Sequence, residues 1–152
     1  MTHDVGPGSG GSARPRDDAV EVVALIQRYL PTVGGAERQL ASLVPLLVEE
    51  GIRVTVITRW EPGLLRSEWI DGAAVFRIPT RGPKVVRSLS FTFGALRIIR
   101  RLRPKVIHAY DMLSPTTTAI LGAQLCSADV VVKVLRSGPV GDVARLSTKP
   151  LG

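Results

Sequence analysis

The chain has 152 residues, 45% of them apolar, which is one domain's length with enough apolar material to bury a core and excludes a disordered chain. Its 20 basic residues outnumber 13 acidic ones for a formal charge of +7, a balance that suits phosphorylated substrates, anionic membrane surfaces or nucleic acid and does not decide among them. A lone cysteine, Cys126, excludes an internal disulfide, and no stretch reaches the roughly 18 consecutive apolar residues of a membrane-spanning helix.

Residues 1–19 are rich in Gly, Ser, Pro and mixed charge, and they read as a disordered tail. They hold no apolar core of the kind an export signal needs, so a cytoplasmic location is expected, with peripheral contact at the inner face of the membrane left open. Val20 to Ile26 is nearly continuous in apolar residues, as in a parallel strand covered on both faces. A turn from Gln27 to Val33 leads to the pair Gly34 and Gly35, and Ala36, Leu40, Leu43, Val44, Leu47 and Val48 then recur at helical spacing up to Gly51. A strand, a glycine turn and a helix aim unpaired N–H groups and the positive end of the helix dipole at one point, which suits an anion. A plain tight turn needs the same small residues. Glu37 and Arg38 lie in the first helical turn, and Pro45 is expected to kink the helix.

Ile52 to Thr58 alternates like a strand, and Ala73 to Ile78 forms another after a turn-rich stretch with Pro62, Gly63, Asp71 and Gly72. From Arg87 to Arg103, Leu89, Phe93, Leu96, Ile99 and Leu102 follow helical spacing, with arginines crowding the last turns before Pro104. Lys105 to Ala109 is a short strand leading to His108, Tyr110 and Asp111. Ser114 and Pro115 open a helix to about Ser127, and Asp129 to Leu135 is a fifth strand.

Strands alternating with helices over short connections predict a doubly wound, Rossmann-like α/β fold with a parallel sheet in the order 3-2-1-4-5. Winding reverses between the first and fourth strands, so the loops from Gln27 to Gly35 and from His108 to Ser114 should line one cleft. His108 at that rim faces either a ligand or the core. Arg38 and Arg136 are candidate phosphate partners. Two histidines and one cysteine at these spacings make no zinc site, and no Gly-x-Ser-x-Gly elbow is present.

The run from Pro31 through Gly34, Gly35, Ala36, Glu37 and Arg38, the helix closed by Gly51 and the strand from Val54 to Thr58 resemble the amino-terminal part of family 4 glycosyltransferases with the GT-B fold. The segment from Arg103 through His108 to Asp111 is similar to the same family's active-site histidine region. The resemblance implies a two-domain enzyme that moves a sugar from a nucleotide-sugar donor to an acceptor, usually with retention at the anomeric carbon, and with no further cofactor. It implies that Gly34 and Gly35 form the loop approaching the donor phosphates, and that His108 lies near the acceptor or the transferred sugar. Tyr110 stands where relatives often carry a second histidine, and Arg136 where they often place a polar residue. The family's donor domain, with two glutamates separated by seven intervening residues, has no counterpart here. The expectation is therefore a truncated amino-terminal domain that alone transfers no sugar, or else a non-catalytic acceptor-binding subunit paired with a separate donor-binding chain. A nucleotide-dependent oxidoreductase would need a Gly-x-Gly-x-x-Gly turn and an acid ending the second strand, where Thr58 and Arg59 stand. Aromatic residues are only 5%, too few for single-stranded nucleic-acid stacking, and no nucleic-acid partner is expected.

Overall fold

The computed structural model describes residues 20–110 and 114–133. Six strands form one sheet: β1 (Glu21–Ile26), β2 (Arg53–Arg59), β3 (Ser67–Ile70), β4 (Ala73–Ile78), β5 (Val106–Tyr110) and β6 (Asp129–Val132). The helices are α1 (Gly35–Glu49), α2 (Lys84–Leu102) and α3 (Ser114–Cys126). The sheet order is β3-β4-β2-β1-β5-β6, all parallel except β3, which runs antiparallel to β4. The five parallel strands stand in the 3-2-1-4-5 order expected, with one unforeseen strand added at the edge. The predicted tail, Asp111, Leu135 and Arg136 lie outside the described residues.

Two cores cover the two faces of the sheet, as the unbroken apolar run of its central strand β1 requires. Ala24, Ile26, Val54 and Val56 pack beneath Leu40 and Val44 of α1. Val23, Leu25, Ile57 and Ile107 pack beneath Phe91, Ala95 and Ile99 of α2 and Ala119 of α3. Gly122 of α3 lets the helix settle on this layer, because a Cβ there would lie 3.0 Å from Ile99 Cδ1 and 3.2 Å from Ile107 Cδ1. α1 continues through Pro45 as one helix and closes at Gly51, whose φ of +79° suits glycine.

Two expectations are corrected here. The stretch before β4, read as turns, contains β3, joined to β4 by the two-residue turn Asp71-Gly72 with φ values of 49° and 83°. The helix predicted from Arg87 begins at Lys84, and its buried face is Phe91, Ala95 and Ile99. Leu89 and Phe93, which belong to the helical spacing read from the sequence, face solvent. α2 carries two apolar stripes, and the one whose small residues allow close approach wins: a Cβ on Gly94 would already lie 2.8 Å from Ile78 Cγ2. None of the described helices is long and apolar enough to cross a membrane.

Candidate functional site

Parallel pairing sets β1 beside β5, with Ala24 opposite His108 and Ile26 opposite Tyr110. The turn after β1 and the end of β5 therefore share the carboxyl rim, where the winding reverses. Alternation along β5 sends Ile107 and Ala109 into the core beneath α2 and α3. His108 and Tyr110 point to the α1 side instead, and Tyr110 belongs to the core beneath that helix.

Tyr110 is only 1% exposed, and its ring lies 4.2 Å from the half-buried His108 ring, tilted by 36°. Lys133, just past β6, donates its backbone N–H to Ala109 at 2.8 Å and so is held against β5. Its Nζ hydrogen-bonds Gln39 Oε1 of α1 and sits 6.0 Å from the Tyr110 ring centroid. One ammonium group thus ties the first turns of α1 to the end of β5. Sequence reasoning missed Lys133; the signal was a single cation at the carboxyl end of an otherwise apolar strand.

Burial, and then the positive charge of Lys133, lowers the His108 pKa from its ordinary 6.5, so the imidazole is neutral at pH 7. The sign of the linked stability follows. The unfolded chain takes up this proton before the folded one, so the contribution is fully present above pH 6.5 and is lost as pH falls from there toward the lower folded value. An imidazole NMR titration of His108 should show a midpoint below 6.5, moved upward in Lys133→Met. A midpoint at or above 6.5 would contradict this placement.

Gly34 is the N-cap of α1 with φ −121°, a conformation open to any residue, so its value is space. A Cβ there would lie 2.5 Å from Glu37 Oε2, because the Glu37 carboxylate folds back over the helix start and offsets its positive end. A Cβ on the exposed Gly35 would meet nothing within 4 Å. The anion position at this terminus is thus partly filled by the chain's own carboxylate, which must swing aside for a ligand. Arg38 is exposed on the solvent side of the same turn.

The approach to the glycine pair is braced from behind. Arg77 of β4 is buried, with Nη2 donating to Leu30 O at 2.8 Å and Nη1 to Leu65 O at 3.1 Å, and it pairs with Glu68 of β3. Glu61 receives Arg28 at 3.3 Å and the Thr32 hydroxyl at 3.2 Å. Arg59, ending β2, reaches over the Phe91 ring at 5.6 Å and donates to Ser114 Oγ at 3.1 Å, fixing the start of α3 at the same rim. Tyr29 is buried, and its hydroxyl has no hydrogen-bond partner among the described residues. Burial, then Asp71 and Tyr110, push its pKa up to about 12, so it stays neutral.

The sheet, its switch-point cleft and its flanking helices make a doubly wound, Rossmann-like α/β domain of the kind that forms the amino-terminal half of a GT-B fold. The profile of Glycosyltransferase Family 4 matches residues 33–132, from the glycine turn to the end of β6, and the chain belongs to that family. Sucrose-phosphate synthase from Thermosynechococcus elongatus superposes with a TM-score of 0.64 at 16% identity, over 84% of this chain and 38% of that one. MurG from Acinetobacter baumannii gives 0.53 at 18% identity, with the same coverages of 84% and 38%. The carboxy-terminal domain of a Pyrococcus furiosus hydrogenase gives 0.54 at 10% identity over 76% of this chain and 92% of that one, a reminder that this layer arrangement hosts unrelated activities. A search of curated proteins found no match. The chain thus spans little more than a third of the two glycosyltransferase-fold neighbours.

Proposed function

We propose that these residues form the acceptor-side half of an enzyme that transfers a sugar from a nucleotide-sugar donor to an acceptor. The observation that carries this reading is Lys133, which joins Gln39 of α1 to Tyr110 and lies beside His108 at the switch-point rim. In this reading the N–H groups at Gly34 and Gly35 approach the donor diphosphate once Glu37 moves away, with Arg38 beside them. Lys133 adds a positive charge from the other wall. Neutral His108 accepts a hydrogen bond from the acceptor hydroxyl or the transferred sugar, and Tyr110 supports it from the core rather than touching substrate. Half a cleft neither fixes the leaving diphosphate nor excludes water, so the 152-residue chain transfers no sugar without a donor-binding unit, wherever that unit is encoded.

Titrating the labelled chain with a nucleoside diphosphate, followed by amide NMR, should shift Gly34, Gly35 and Lys133 together. Shifts confined to the arginines at the end of α2, or none at millimolar ligand, would defeat this reading. Turnover of nucleotide sugars by the chain alone would defeat the claim that a second unit is needed.

A second reading, a non-catalytic acceptor-binding subunit docked on a donor-binding chain, draws on the exposed apolar residues at the β6 edge. Val131 and Val132 of β6, with Ile120, Leu121 and Leu125 of α3, face solvent.

A further inference from the structure

We infer that the outer face of α2 is a docking surface for an anionic lipid bilayer. A surface helix normally turns its apolar side inward, and α2 does so with Phe91, Ala95 and Ile99. Its opposite side is apolar as well: Val85 and Phe93 are 69% and 70% exposed, and Val86 and Leu89 are exposed between them. These four residues fall on one outward strip of the helix's first half, about 12 Å long at the rise of an α-helix. Along the second half, Arg97, Arg100 and Arg101 continue the strip and are likewise exposed. Lys84 and Arg87 flank its start, Arg81 precedes it, and the whole helix contains no acidic residue.

Apolar side chains beside clustered cations, with no compensating acid, match the interior edge and the phosphates of a negatively charged membrane at once. The strip is the convex side of a single helix, which suits a fluid surface better than the shaped pocket a protein partner would offer. α2 starts just after β4 leaves the sheet at Ile78, so its apolar half lies toward the carboxyl rim that carries His108. The bilayer would then lie beside the cleft. The inference stands on α2 alone and does not depend on the catalytic reading.

The test is cosedimentation of the 152-residue chain with vesicles of phosphatidylcholine, alone or mixed with phosphatidylglycerol. The chain should pellet with the mixed vesicles, remain in solution with the neutral ones, and be released by salt. The variant Leu89→Ser with Phe93→Ser should lose most of this binding. Arg97→Gln with Arg100→Gln should lower the partition coefficient about fivefold per charge removed. All four positions are exposed, so thermal unfolding of both variants should match the parent, which separates lost docking from lost folding. Three results would overturn the inference. These are no pelleting with anionic vesicles at low salt, undiminished pelleting of the serine variant, and self-association through Phe93 that leaves no vesicle binding.

Discussion

Replacing Arg77 by leucine should lower unfolding free energy by about 3 kcal/mol, the low end of what breaking a buried ion pair costs. The Arg77 side chain is 1% exposed, and its guanidinium serves three partners at once: the carbonyls of Leu30 and Leu65, and the carboxylate of Glu68. Glu68 is 31% exposed, so water recovers part of its loss, which is why the lower figure applies. The carbonyls of Leu30 and Leu65 lose their donor as well, at roughly 1 kcal/mol for an acceptor that water does not reach. Arg77→Lys keeps the charge but cannot span three directions, and should fall between parent and leucine variant. The exposed pair of Arg28 and Glu61 is the control: Arg28→Ala should change stability by less than about 1 kcal/mol. Denaturant unfolding measures all three. Because Leu30 precedes the glycine turn, the Arg77 variants should also loosen the loop on which diphosphate binding rests.

The second large effect belongs to His108. With the chain joined to a donor-binding domain, His108→Asn should reduce kcat about 100-fold, the lower bound for losing a positioned proton acceptor. Asparagine preserves size and one hydrogen bond but cannot take a proton. Lys133→Met should act differently, weakening donor affinity and raising KM while moving the pH profile toward higher pH as the imidazole loses its neighbouring cation. A merely structural histidine would change stability and leave the pH profile alone.

The parallel sheet, its order and α1 were legible because the central strand, buried on both faces, is apolar from Val23 to Ile26, and its neighbour alternates Val54, Val56 with Thr55 before reaching Ile57 and Thr58. β3 was not, since Ser67 to Ile70 alternates with Trp69 outward and is too short to stand out. The pair Asp71-Gly72 between Trp69-Ile70 and Ala73-Ala74 was the available hairpin signal. In α2 periodicity named a helix but not its buried stripe, because two apolar faces fit the same spacing. Only the neighbours, Ile78 below and α3 alongside, decide which is covered. At the site, topology brought His108 and the glycine turn to one rim. It could not foresee that Glu37 folds over Gly34, or that Arg77, a charge inside an otherwise apolar strand, is buried because Glu68 and two carbonyls receive it.

The most direct test of the central claim is acceptor-dependent release of nucleoside diphosphate by the chain joined to a family 4 donor-binding domain. Release is expected when both halves are present, none from either half alone, and loss of release in His108→Asn while donor still binds. Equal release from the donor-binding half by itself, or full activity of the His108→Asn variant, would contradict the claim.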